Sequence, residues 1–159
     1  MGVSVRRLTF AAFAALAASW GVAAAPVQRV NVQMKEFAFV PATVSLKAGV
    51  STVVVLSNRG VVEHEFMVYD AGGLHMAGMG HDERHRQLEA RSYFRGVAVQ
   101  VEGKAPKVER MGKDLVMLNL APGQQVVLRF VPRKRGTFEM GCHLPGHYEA
   151  GMKGTWVVR

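Results

Sequence analysis

From Val30 onward, apolar and polar positions alternate in short runs: "VNVQM", "FAFVPATVSL", "STVVVLSN", "EFMVYD", "GVAVQVEG", "DLVMLNL", "QQVVLRFV", "GTFEMGC" and "GTWVVR". A period of two in segments rich in Val, Phe and Thr predicts strands rather than helices. Turn residues separate the runs, as "KAG" at Lys47, "SNRG" at Ser57, "APGQ" at Ala121 and "PRKRG" at Pro132. The pattern predicts an all-β fold, an antiparallel sandwich of seven or eight strands. One stretch differs: Asp82 to Tyr93, "DERHRQLEARSY", reads as a short helix with its acidic residues at the start, where the helix dipole favours them. Around it, Ala71 to Lys113 is broken by seven glycines, Gly72, Gly73, Gly78, Gly80, Gly96, Gly103 and Gly112. That segment holds too few apolar residues for a core of its own, so it is expected to be an elaborated connection across one end of the sandwich.

The start of the chain has a different pattern. Arg6 and Arg7 precede the apolar run "LTFAAFAALAASWGVA", and small residues surround Ala24. This is the form of an export signal, residues 1–24, and the run is shorter than the roughly 20 residues that span a bilayer. The remaining residues, 25–159, suit a single domain in the periplasm or outside the cell. Of the formal charge of +8, two units belong to Arg6 and Arg7, which leaves +6. Apart from Arg133 to Arg135 the basic residues are scattered and no aromatic residues interleave with them. A nucleic-acid partner is therefore not expected, while an acidic protein partner is compatible with the charge.

The chain has one cysteine, Cys142, so no internal disulfide can form although export would favour one. Its neighbours suggest another use. In "GTFEMGC" the thiol shares a face with Phe138 and Met140 and is expected to point inward. Pro145 and Gly146 then turn the chain so that His147 returns towards the sulfur, and a second turn at "GMKG" brings Met152 round. A thiolate, imidazoles and a weak thioether form the donor set of a type 1 copper site. The second imidazole is best sought at His64, which opens the strand "EFMVYD" after a turn-rich stretch; His143 competes, but alternation turns it away from the face of Cys142.

These residues resemble the cupredoxins: Cys142, His147 after four intervening residues, Met152 after four more, Pro145 and Gly146 between, and His64 upstream. "PATVSLKAGVSTVVVLSN", Pro41 to Asn58, is similar to the strand, turn and strand that precede the first histidine ligand of that family. The resemblance implies a Greek-key β-sandwich, one copper held by His64, Cys142, His147 and Met152, and one-electron transfer without catalysis. It implies a monomer whose partner is a redox protein (a cytochrome, an oxidase or a reductase). His147 would be the exposed ligand and the electron exit, with Leu144 and Pro145 in a docking patch around it. Two departures stand out: Glu65 follows His64 where many members have Asn or Ser, and Gly141 precedes Cys142 where multicopper oxidases need a histidine. Without a His-x-His pair the trinuclear cluster of those oxidases cannot be built, and His143 is left as a surface or supporting residue.

A second group of soft donors lies in "GLHMAGMGH": His75, Met76, Met79 and His81, with His85 four residues on. The mixture suits a weak second copper site, and with it an alternative role in periplasmic copper tolerance or trafficking. Otherwise Met76 and Met79 fill gaps over the sandwich edge while the histidines are solvated.

Overall fold

The structure, a computed structural model, describes residues 25–105 and 107–159. The expected export signal lies outside the described residues. Among the described residues, eleven strands form two facing sheets. In the first the order is β2 (Ala38–Val40), β1 (Val27–Lys35), β4 (Ser51–Asn58), β9 (Gln125–Phe130) and β6 (Gln100–Gly103). In the second it is β3 (Thr43–Leu46), β11 (Lys153–Val158), β10 (Gly136–Gly141), β5 (His64–Tyr69), β8 (Asp114–Leu120) and β7 (Lys107–Met111). The all-β sandwich agrees with the alternation of the sequence, but there are more strands than the seven or eight expected.

Two causes take the nine alternating runs to eleven strands. Pro41 has no N–H for a ladder, so "FAFVPATVSL" splits there into β2 and β3, which belong to different sheets. Because the chain visits the second sheet before returning, β4 runs parallel to β1, and β3 runs parallel to β11. The purely antiparallel expectation fails at these two pairs. The other cause is β7, "KVERM", whose mostly exposed residues give almost no alternation; it pairs with β8 through a register shift between Glu109 and Arg110.

The connection from Ala71 to Lys113 therefore does more than lie across one end. It supplies edge strands to both sheets, β6 and β7, and a helix, α1 (His81–Ala90). The helix stops three residues before its expected end. Ser92 bridges to Tyr69 and donates its hydroxyl to the carbonyl of Leu115, while Tyr93 and Phe94 turn into the core. Burying two aromatic rings outweighs another helical turn. Between the sheets, Trp156 packs against Phe66, Phe130, Tyr93 and Phe94. A second, smaller cluster lies on the outer face of the second sheet, where Met67, Tyr69, Val116 and Met117 are covered by Leu88 of α1.

Candidate metal centre

Strand β5 is buried along its whole length, so both its faces are occupied. His64, Phe66 and Val68 face the inter-sheet side, and Glu65, Met67 and Tyr69 face α1, as strand alternation requires. The turn before β5 is pinned by Asn58, whose Nδ2 donates to the carbonyls of Val62 (2.7 Å) and Leu120 (2.8 Å) and whose Oδ1 accepts from the N–H of Gly60 (2.8 Å). The N–H of Val61 donates to the Glu36 carboxylate. His64 is thus fixed at the strand end and fully buried.

Strand β10 brings the sulfur to the same place. It pairs with β5 through Gly141 and Met67, which sets Cys142 just beyond the ladder, beside the first residues of β5. Cys142 is fully buried, and its Sγ accepts a hydrogen bond from the N–H of Glu65 (3.2 Å). The loop then folds back. Gly146 and Gly151 adopt positive φ angles of 80° and 103°, the N–H of His147 donates to Leu144 (3.0 Å), and that of Met152 donates to His147 (3.0 Å). The N–H of Cys142 closes the loop on the carbonyl of Met152 (3.1 Å).

The outcome is a converging set. The Nδ1 atoms of His64 and His147 are 3.3 Å apart, and the Sγ of Cys142 is 3.3 Å from Nδ1 of His147. All three donor atoms lie within 4.8 Å of one another, with His147 half-buried. A metal bonded at about 2 Å to three donors in a triangle sets them about 3.5 Å apart, so the spacing fits a small transition-metal ion. Met152 is fully buried in the same cluster as Cys142. With two imidazoles, a thiol and a thioether at hand, the donor chemistry fits copper in both oxidation states. In the metal-free protein burial pushes the Cys142 thiol up to about 11, so binding a metal there requires the thiol proton to leave.

His143 is turned away from Cys142, as alternation predicts, but it is not on the surface. It is 1% exposed, its N–H donates to Glu65 Oε1 (3.1 Å), and its ring stacks on Tyr148 with centroids 4.6 Å apart. Tyr69 and Tyr148 both donate to Glu139 Oε1, at 2.5 and 2.8 Å, and His143 Nε2 lies 2.8 Å from the Tyr69 oxygen. Sequence reasoning missed this network of Tyr69, Glu139, His143 and Tyr148. The one available signal was "EMGCH" with Gly141 between two alternating polar residues: a Cβ at Gly141 would lie 2.7 Å from the Tyr69 oxygen and 2.8 Å from His143 Nε2.

The Met and His loop does not gather. His75 is exposed, Met76 packs against the outer cluster, Met79 is half-buried, and His81 stacks on His85 with centroids 4.3 Å apart. Met76 is the gap-filler of the alternative reading. Among the described residues, no other three His, Cys, Asp or Glu side chains converge as closely as those around Cys142.

Residues 27–159 match the family described as copper binding proteins, plastocyanin/azurin family. The chain is similar to the copper-resistant cuproprotein CopI of Rubrivivax gelatinosus, 29% identical over 140 residues that cover 87% of this chain and 71% of that protein. It is also similar to CopI of Pseudomonas aeruginosa, 27% identical over 147 residues, 86% of this chain and 79% of that one. Among solved structures it is similar in fold to the dithionite-reduced auracyanin of Roseiflexus castenholzii, with a TM-score of 0.55 and 17% identity over 82% of this chain and 96% of that one.

Proposed function

Since the chain belongs to the plastocyanin/azurin family of copper binding proteins, we propose that it is an exported one-electron carrier holding one type 1 copper at His64, Cys142, His147 and Met152. The observation that carries this reading is the convergence of two Nδ1 atoms and one Sγ at 3.3 Å spacings. Copper, when bound, supplies one electron's worth of storage by cycling between Cu(I) and Cu(II). The chain supplies the rest. Its Cys142 thiolate is oriented by the Glu65 N–H, its His64 is locked by the Asn58 turn, and Met152 is held by main-chain bonds to both Cys142 and His147. A rigid cage of this kind lets the redox change occur with little rearrangement.

His147 is the half-buried member of the set, so it is the exit we assign to the electron. Phe37 stands edge-on over its ring with centroids 5.3 Å apart, and exposed Pro145, Val61 and Val62 add apolar surface at the loops carrying the donors. An apolar rim around a charged redox group suits brief docking of a redox protein. The test is the visible and paramagnetic-resonance spectrum of the copper-loaded chain, which must show thiolate-to-copper charge transfer. Replacing His147 by Gly should weaken that colour, and added imidazole should restore it; the same treatment at enclosed His64 should restore less. A colourless copper protein would sink the assignment.

A second reading, copper tolerance in the periplasm, is favoured by one observation: both CopI relatives carry copper resistance in their names. The two readings part in the cell. Deletion of the gene should impair growth on excess copper under the tolerance reading, and should instead slow a respiratory or photosynthetic electron chain under the carrier reading.

A further inference from the structure

The outer face of β5 holds a group of donors that the first site does not use. Glu65 is 1% exposed, and among the described residues its carboxylate meets only His85 within ion-pair range, with Nε2 3.5 Å from Oε2. His85 stands on α1 with its side chain 12% exposed, and Nε2 has no hydrogen-bond partner. His143, buried on the other side of Glu65, is placed 6.4 Å from His85, ring to ring and nearly perpendicular.

The hydrogen-bond network decides the tautomer of His143. Tyr69 has a single hydroxyl proton, which goes to Glu139 at 2.5 Å, so the Tyr69 oxygen must accept from His143 Nε2 at 2.8 Å. The proton of the imidazole is therefore on Nε2, and Nδ1 is a bare lone pair. That atom is buried and has no partner. A histidine with one nitrogen tied to an oxygen backed by a carboxylate and the other left free is oriented as metal ligands are.

We propose that Glu65, His85 and His143 form a second metal site for a divalent transition-metal ion, separate from the Cys142 site. Two imidazole nitrogens and one carboxylate suit borderline cations, among which copper(II) binds such sets most tightly. A cation there would satisfy two buried ring nitrogens that otherwise go unpaired, Nε2 of His85 and Nδ1 of His143, and would neutralise the buried Glu65 carboxylate. Its donors stand further apart than those around Cys142, so binding draws His85 and His143 towards Glu65. An open depression of about 340 Å³, lined by His81, Arg84, His143, Pro145, Gly146 and Glu149, leads to the site. Its one cation of fixed charge, Arg84, is paired with Glu149 at 2.6 Å.

The site does not require the first one, and the experiment reads the two separately. Copper(II) is added to the metal-free chain by equilibrium dialysis at neutral pH, and bound metal, thiolate charge-transfer absorption and paramagnetic resonance are recorded. Two coppers per chain are expected, the second giving an ordinary tetragonal signal with nitrogen coupling and no charge-transfer colour. His85→Ala should weaken the second copper at least about tenfold while the colour persists, and Glu65→Gln should weaken the second copper as well. His75→Ala should change neither. One copper per chain, a second copper that survives both substitutions, or one lost only with His75, overturns the proposal. A colourless chain that still shows the His85-dependent signal would leave this site standing and sink the first.

Discussion

The two faces of β5 make an instructive pair. They belong to one strand of six residues, all buried, yet one is closed by the opposite sheet and the other by a loop with a ten-residue helix. On the inner face, large apolar side chains surround His64, Cys142 and Met152, and the polar atoms meet each other. On the outer face the cover is thinner, and Glu65, Tyr69, Glu139 and His143 form a hydrogen-bonded layer beneath it. The inner face therefore has the features of a site for a soft metal, and the outer face those of a polar scaffold that holds the strand ends in place. A change on the inner face should alter the thiolate colour, while one on the outer face should leave the colour and alter stability, protonation or the second metal.

The strongest way to break this comparison is at the sulfur. Cys142→Ser should abolish the charge-transfer colour of the copper-loaded chain altogether, because a hydroxyl is too hard and too weakly acidic to stand in for a thiolate. Retained intense colour would show that the inner face does not supply the thiolate ligand. On the outer face, Gly141→Ala forces a Cβ to within 3 Å of the Tyr69 oxygen and His143 Nε2. It should cost about 1–3 kcal/mol in denaturant melts with the colour kept.

A smaller effect, about 1 kcal/mol, is expected of Tyr69→Phe, which removes the bridge between His143 and Glu139. If it bleached the colour, the division between the faces would be wrong. A further effect, read as a slope rather than a single value, lies in pH. Burial, the largest influence on Glu65, raises its carboxyl from 4.5 to about 7 in the metal-free protein. The folded state thus holds a proton that the unfolded chain releases, so this stabilisation is complete below about 4.5 and is lost as pH rises through about 7. Glu65→Gln removes the dependence. Its stability relative to the parent, measured by denaturation without metal, should increase between about pH 5 and about pH 8.

The strands and the inward thiol were legible because both depend on alternation, a local property: Phe138, Met140 and Cys142 share the core in the structure as they share parity in the sequence. The same parity turned His143 outward. What parity does not contain is the cover: that outward on β10 means under α1 depends on the path of residues 71–113, whose glycine-rich stretch before α1 carries no periodicity. The proximity of His64 to Cys142 rests on the register of β5 against β10, a non-local quantity that parity does not carry; the guides were the turn-rich stretch before His64 and the resemblance to a known family. Met76 looked like a soft ligand and is a packing residue, since a thioether serves either role and its neighbours decide which.

The position of β11 has a consequence for how the protein reaches this state. That strand lies between β3 and β10, and its partner Thr43 is far back along the chain from Thr155. Pairings so remote close slowly, because the entropy of the intervening loop must be lost before any contact rewards it. Until β10 is flanked by β5 and β11, nothing shields the only thiol of the molecule. Once they dock, the sulfur is enclosed and held protonated, and alkylating reagents lose access to it. The labelling rate of Cys142 in the metal-free chain is thus a clock for the opening of the second sheet, and bound metal should slow it in proportion to the stability it adds.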